Sequence, residues 1–294
     1  MTVLEVIQKS TEFLAKKGVE SPRLQTELLL AHTLKLPRMQ LYLNFERTLA
    51  ATELDACREL VKRRSQREPL QHIIGSTSFC GFEIAVNRHV LVPRPETELL
   101  AERGWNFLNQ LVAALPEQGE NKEPSVSAMD FGTGSGCLAI ALAIKCPSVQ
   151  VYAIDMCPKA LSLARQTAGL HQVADRIQFL EGDGFAAIAP GTRFDLIIGN
   201  PPYIPSEEIS ELEPEVRDFD PRPALDGGPD GLDFYRRLAA EGASFLKSAG
   251  RIMLEFGDAQ DQRVRAIFEQ QKWIVEAIEE DYTRRPRILI ARRG

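Results

Sequence analysis

The run from Val126 to Ala143 leaves few folds open to this chain. Val126-Ser127-Ala128-Met129-Asp130-Phe131 is a short apolar segment. Gly132-Thr133-Gly134-Ser135-Gly136 follows at once, and Leu138-Ala139-Ile140-Ala141-Leu142-Ala143 continues as an apolar helix. Strand, glycine loop and helix in that order predict a parallel α/β sheet. Glycines let a backbone come within contact distance of a ligand, and the helix N-terminus turns free N–H groups toward it. The next strand, Val149 to Ile154, ends at Asp155. An acid about 20 residues beyond such a loop suits ribose hydroxyls.

The loop narrows the cofactor. A dinucleotide fingerprint reads Gly-x-Gly-x-x-Gly, whereas here the spacing is Gly-x-Gly-x-Gly and Cys137 stands where the third glycine or alanine belongs. A Walker loop would need Gly-Lys-Ser/Thr, which is absent. A cofactor with a ribose but no pyrophosphate fits better. S-adenosylmethionine is such a molecule, with its amino-acid end against the glycines. A further strand, Ile177 to Leu180, ends near Asp183-Gly184-Phe185. Asp183 either accepts from an adenine amino group or caps the next turn.

A second motif closes a later strand. Phe194-Asp195-Leu196-Ile197-Ile198-Gly199 reads as buried and parallel, and it runs into Asn200-Pro201-Pro202-Tyr203. The prolines fix two φ angles and remove two donors, and Pro201 keeps Asn200 out of the helical region. The product is a rigid rim at the carboxyl end of a strand, where open α/β sheets bind ligands. The Asn200 side-chain oxygen and the Pro201 carbonyl are adjacent acceptors, suited to a planar NH2 group. Tyr203 offers a ring face to a flat substrate. Asn-Pro alone would be an ordinary turn; the pairing with the glycine loop makes it a site.

Around this core the chain divides. Residues 1–70 read as a small helical domain of four or five helices. Thr2 with Glu5 forms a capping box before the Val3, Ile7, Leu14 face. Ser21-Pro22 caps a second helix with Leu24, Leu28 and Leu29 inward, and Met39 to Phe45 is a short third. Thr52 with Asp55 starts a helix carrying Leu54, Leu60 and Val61 to the basic stretch Lys62-Arg63-Arg64. That stretch is either a solvated helix end or a partner contact. His32 reads as a packed or half-exposed histidine rather than a ligand. Residues 71–92 hold a β-hairpin around Gly81, as a linker. From residue 93 to 294 the α/β pattern runs on, with a helix from Pro95 to about Ala114, a polar surface loop at 116–125, a long functional loop at 204–231, a helix over 232–246 and strands at 251–256, 273–278 and 287–291.

Composition sets the outer limits. A formal charge of −6 argues against a broad nucleic-acid surface. The five cysteines are scattered and form no Cys-x-x-Cys pair, so neither zinc nor a disulfide framework is expected, and a reducing, cytoplasmic setting is. Glu5 inside the first apolar stretch argues against a signal peptide, and no apolar run is long enough for a membrane span.

Taken together, these motifs resemble the amino-group class of S-adenosylmethionine-dependent methyltransferases. The narrower resemblance, over nearly the whole chain, is to the release-factor glutamine methyltransferases. It is carried also by Pro93-Arg94-Pro95-Glu96-Thr97-Glu98 and Pro223-Ala224-Leu225-Asp226-Gly227-Gly228. The resemblance implies an α/β, Rossmann-like class I methyltransferase domain with a seven-stranded mixed sheet, preceded by the helical domain and the hairpin. It implies that Gly132, Thr133, Gly134, Ser135 and Gly136 line the methionine end of the cofactor and that Asp155 binds the ribose. The position after Asp183 would flank the adenine. Some relatives carry an aromatic where this chain has Gly184, which leaves stacking to come from Phe185 or elsewhere, or to be missing. Asn200, Pro201, Pro202 and Tyr203 would hold the glutamine of a Gly-Gly-Gln motif in peptide chain release factors, without a histidine or carboxylate as general base. The helical domain and hairpin would grip the release factor, and a monomer without stable nucleic-acid binding is expected. Two rivals are a nucleic-acid amine methyltransferase, against which the acidic balance counts, and a binding module, which should have lost one of the two motifs.

Overall fold

A computed structural model describes residues 1–115 and 126–294, so the surface loop expected at 116–125 lies outside the described residues. Contacts divide the chain into two compact units, residues 1–76 with 213–219 and residues 77–212 with 220–294.

The smaller unit is helical: α1 (Val3–Lys16), α2 (Pro22–Leu34), α3 (Arg38–Tyr42), α4 (Ala51–Ser65) and α5 (Leu70–Ile74). The capping box forms as expected, with Thr2 Oγ1 accepting from the Glu5 N–H and Glu5 Oε2 from the Thr2 N–H. Val3, Ile7, Leu14, Leu29, Leu30, Leu41, Val61 and Ile73 build its core. Three readings of this region need correction. In α2 the buried stripe is Thr26, Glu27, Leu29, Leu30 and Ala31, whereas Leu24 is exposed. Glu27 can face inward because Arg23 (3.0 Å), Arg38 (3.4 Å) and the Tyr42 hydroxyl (2.8 Å) surround its carboxylate. Ser21 sits in the left-handed region and its side chain caps nothing. Helix α4 starts one residue before Thr52, and Glu53, not Asp55, secures its N-terminus by accepting from the Ala50 N–H.

The basic stretch is not a solvated end throughout, because Arg64 is only 3% exposed. Its guanidinium reaches Gln25 Oε1 (2.5 Å), the Glu68 carbonyl (3.1 Å) and Glu215 Oε1 (2.6 Å). Arg67 joins it on Glu215 (2.6 Å) and Glu213 (2.9 Å). Residues 213–219, drawn from the long loop, are thus held in the helical unit by Arg64 of α4 and by Arg67 just beyond its end.

The larger unit opens with a two-stranded hairpin, β1 (Ser76–Phe79) and β2 (Phe82–Ala85). Cys80 and Gly81 have φ of 51° and 80°, the pair of positive angles that a two-residue hairpin turn requires. Helix α6 (Pro95–Ala114) follows, then β3 (Val126–Phe131), α7 (Cys137–Lys145), β4 (Val149–Asp155), α8 (Pro158–Leu170), β5 (Ile177–Glu181) and β6 (Phe194–Gly199). After the long loop, which holds the short α9 (Pro214–Arg217), come α10 (Asp233–Glu241), β7 (Leu246–Glu255), α11 (Asp261–Gln270), β8 (Trp273–Glu280) and β9 (Pro286–Arg293). The helix expected to reach residue 246 therefore stops at Glu241, because Leu246 already pairs with Phe194 in the sheet.

The sheet is seven-stranded in the order β5-β4-β3-β6-β7-β9-β8, parallel except for β9, as the resemblance implied. Alternation along the strands serves two cores. Ala128, Leu196 and Ile198 pack with Leu100, Leu108 and Leu142 of α6 and α7. Met129, Ile197 and Leu254 pack with Tyr235, Leu238 and Phe268 of α10 and α11. Strand order reverses at β3, where β4 lies on one side and β6 on the other, so a crevice opens at the carboxyl ends of β3 and β6. The two ends run so close that a Cβ on Gly199 would lie 2.8 Å from the Phe131 carbonyl oxygen.

Burial of Arg64 makes a stability difference measurable. Arg64→Ala should lower the stability of the helical unit by about 3 kcal/mol, the order for breaking a buried ion pair. Arg58→Ala, which breaks an exposed pair with Asp55, should cost under about 1 kcal/mol. Urea unfolding of the full chain, followed by helical circular dichroism, compares them; equal midpoints would deny the buried network its role.

Candidate functional site

A cavity of about 200 Å³ occupies the crevice. Its walls include the glycine loop after β3, Asp155 to Cys157 after β4, Gly182 to Gly184 after β5 and Asn200 to Pro202 after β6. Parallel pairing of Asp130 with Ile198 is what sets the glycine loop and the Asn-Pro-Pro rim side by side.

Each glycine of the loop has its own reason. Gly132, Gly134 and Gly136 have φ of 71°, 54° and 81°. A Cβ on Gly132 would meet nothing within 4 Å, and one on Gly134 only the Gly132 carbonyl at 3.9 Å, so both face open space that a side chain would fill. A Cβ on Gly136 would instead strike Ala164 of α8 at 2.8 Å. The loop is strapped by Asp155, whose Oδ2 accepts from the Gly134 N–H and whose Oδ1 accepts from the Cys157 N–H, both at 2.8 Å. Asp130 anchors its start. Asp130 Oδ2 accepts from Thr133 Oγ1 (2.6 Å) and the Ala139 N–H (3.1 Å), while Oδ1 is buried at the cavity wall and has no partner among the described residues. Burial pushes the Asp130 carboxyl up to about 7, against the Thr133 hydroxyl and the Ala139 N–H.

These features fit the amino-acid end of S-adenosylmethionine. The loop offers a glycine cradle, and an orphaned buried carboxylate oxygen is matched to a donor such as an ammonium group.

The adenine end departs from expectation. Gly184 (φ 57°) lies against Phe131, whose Cε2 would be 2.6 Å from an added Cβ, so no side chain fits there. Phe185 does not reach the cavity. It is buried, stacked on Phe245 with centroids 4.5 Å apart. Phe131 and Phe234, 6.4 Å apart and edge to face, line the space instead. Asp183 caps no turn; its carboxylate pairs with Arg237 at 2.5 Å.

At the rim, Asn200 Nδ2 donates to Glu255 Oε1 (3.0 Å) and Thr97 Oγ1 (3.2 Å). Its oxygen is the end left for the cavity. Pro201 and Pro202 line the space, and no described donor reaches the Pro201 carbonyl. Tyr203 turns away from the lining, with its ring against Gly257 and its carbonyl accepting from Gln260 Nε2 at 2.9 Å. The Tyr203 ring, expected to offer a face to a flat substrate, is half-buried against the core of α10 and α11 and is not among the cavity walls. The Asp226-Gly227-Gly228 cluster underpins the rim. A Cβ on Gly227 would fall 2.8 Å from the Pro202 carbonyl, and one on Gly231 2.3 Å from that of Tyr203.

Thr97 and Glu255 escaped the sequence reading, as did Arg94. The Pro-Arg-Pro-Glu-Thr-Glu run turns out to hold three anchors in six residues. Arg94 pairs with buried Asp220 at 3.0 Å and so fixes the start of the wall formed by Pro221, Pro223 and Ala224. Thr97 holds Asn200, and Glu98 Oε1 accepts from the Cys80 N–H of the hairpin at 2.8 Å. Glu255 had a possible signal, an acid ending the apolar strand Ile252-Met253-Leu254.

Comparison with known proteins agrees with this geometry. Residues 5–75 match the family model of the PrmC N-terminal domain, and residues 109–212 that of the methyltransferase small domain. The release factor glutamine methyltransferase of Geobacter sulfurreducens is 42% identical over 267 residues, which cover 91% of this chain and 88% of that protein. That of Chlorobaculum tepidum is 42% identical over 257 residues, covering 86% and 85%. Among solved structures, a methyltransferase from Pyrococcus furiosus shares the fold at 18% identity and a TM-score of 0.52, over 79% of this chain and 98% of that one. With a cradle, a proline rim and relatives of this likeness along nearly its whole length, the chain belongs to the release factor glutamine methyltransferase family.

Proposed function

We propose that the protein methylates the side-chain amide nitrogen of the glutamine in the Gly-Gly-Gln motif of peptide chain release factors, with S-adenosylmethionine as donor. The observation that carries this reading is the Asn200 amide, whose NH2 is occupied by Glu255 and Thr97 so that an oxygen is left at the rim beside the glycine loop.

Gly132 to Gly136 and Asp130 would hold the amino-acid end of the cofactor, Asp155 the ribose, and the pocket of Phe131, Gly184 and Phe234 the adenine. When bound, the cofactor supplies an electrophilic methyl group on a sulfonium. The protein's part is to present the nitrogen. An amide nitrogen is a poor nucleophile because its lone pair is shared with the carbonyl. Asn200 Oδ1 and the Pro201 carbonyl accept its two hydrogens, which draws electron density back onto nitrogen and aims it at the cradle. The amide proton becomes acidic as the new bond forms and passes to solvent water as the product leaves, so no side-chain base is required. Pro202, Pro221, Pro223 and Phe131 wall the space with apolar surface and exclude water. The helical unit and the hairpin grip the release factor, since one glutamine side chain offers little to recognise. A monomer working in the cytoplasm completes the reading.

Incubation with purified release factor, RNA and DNA, each with labelled cofactor, tests the substrate directly. Label mapped to the Gly-Gly-Gln glutamine is expected; label in nucleic acid alone would overturn the assignment. Asn200→Ala should lower kcat on the order of 100-fold while cofactor Kd changes less than about twofold, and equal losses in both would refute the role. Gly134→Val should do the reverse. It fills the cradle, so calorimetry should find cofactor Kd raised by at least about 10-fold in a protein that still folds; unchanged binding would remove the glycine loop from the cofactor site.

A further inference from the structure

We propose that Thr97 and Glu255 are positioning residues that fix which end of the Asn200 amide faces the cavity, and that this orientation makes the site select an NH2 group over an oxygen. The inference rests on the reading above, in which the substrate supplies that NH2.

The two ends of an asparagine amide are nearly identical in size, so packing alone cannot choose between them. Only hydrogen bonding can, and here both amide hydrogens are engaged. Glu255 is 2% exposed and, when ionised, only accepts. Its Oε2 takes the Thr97 hydroxyl hydrogen at 2.7 Å, which leaves the Thr97 oxygen free to accept. Asn200 Nδ2 then donates to that oxygen and to Glu255 Oε1. Flipping the amide would bring Oδ1 against a carboxylate and a hydroxyl already committed as a donor elsewhere. Two bonds would be lost in a buried place and replaced by repulsion. The unflipped amide sets Oδ1 beside the Pro201 carbonyl. Two oxygens welcome a glutamine NH2 and repel the carboxylate of a glutamate, so the discrimination is built behind the rim rather than on it.

The same arrangement ties the site to pH. Groups facing Glu255 are Glu96 from α6, Arg287 from β9, Tyr203 from the rim and Tyr235 from α10, whose hydroxyl donates to the Glu255 carbonyl. Burial is the main cause that carries the Glu255 carboxyl up to about 7; the Thr97 hydroxyl opposes it, Glu96 adds to it, and Arg287 and Asn200 oppose it. Protonated Glu255 must donate from one oxygen. A hydrogen on Oε1 faces the Asn200 NH2 and favours the flip. The working form is therefore the ionised one, and turnover should fall as pH drops through about 7.

The test combines kinetics with an amide readout on the full chain. For wild type, kcat on release factor should show one acid limb. Glu255→Gln should lower kcat on the order of 100-fold, abolish the limb and leave cofactor Kd within about twofold. Thr97→Val should lower kcat alike but keep an acid limb, because Glu255 still titrates, and Thr97→Ser should restore most of the activity. In 15N-labelled protein, the Asn200 side-chain NH2 signals, assigned by their loss in Asn200→Asp, should exchange slowly in wild type and Thr97→Ser but at least about 10-fold faster in Thr97→Val. An intact acid limb in Glu255→Gln with near-normal kcat, or equal exchange in all three proteins, would overturn the proposal. If Glu255→Gln does not fold, the Thr97 pair and the exchange rates decide alone. If wild type methylates no release factor, the functional reading fails, while the exchange rates still judge the orienting pair.

Discussion

The parallel pairing of β3 with β6 is the constraint from which the site follows. Two neighbouring strands point the same way, and their chains leave the sheet in different directions, one into glycines and one into prolines. Hydrogen-bonded strands stand about 4.8 Å apart, so whatever the glycine loop holds is within reach of whatever the rim holds. The small residue at Gly199 is part of the same constraint, since the Phe131 carbonyl occupies the space a side chain would need. Flexibility on one side and stiffness on the other are complementary. On the proposed reading, a cofactor would be enclosed by backbone free to bend around it, and a substrate met by backbone that proline stiffens.

Much of this is legible in the sequence. Strand, Gly-x-Gly-x-Gly and helix announced the sheet and its parallel sense, because that order of residue types has few other uses. Asn-Pro-Pro announced the rim, because proline removes freedoms in a way that depends only on covalent structure. Other features were hidden for identifiable reasons. Glu255 ends an apolar strand 55 residues beyond Asn200, and nothing local distinguishes a buried acid with a partner from a solvated one at a strand end. Thr97 looked like an ordinary first-turn residue, since its role is defined by a strand on the far side of the loop. Leu24 misled because helical spacing marks several faces, and which face is buried was decided by a cage of arginines around Glu27. Phe185 and Tyr203 carried the right chemistry at the right positions in sequence, but each ring was claimed by the core behind the site.

The aromatic question shows how a departure at one position is compensated at another. Gly184 removes a side chain beside the expected adenine pocket, and Phe131 fills that space from the end of β3. Phe131 is therefore both the last residue of the strand that starts the cradle and a ring in the wall of the cavity. A larger residue at 184 would have to displace that ring, so the two positions are locked to one another by volume.

The path of the long loop bears on how freely such proteins can exchange parts. The chain leaves one unit, joins the other over residues 213–219, and returns, with Glu215 seated among Arg64 and Arg67. The helical unit is thus completed by a piece of chain encoded well over a hundred positions downstream of its own helices. Recombination at a single crossover between the two units would pair α4 with a foreign excursion, leaving a nearly buried guanidinium facing whatever that excursion carried. Inheritance of the two units as one block, rather than as interchangeable cassettes, is what this wiring favours.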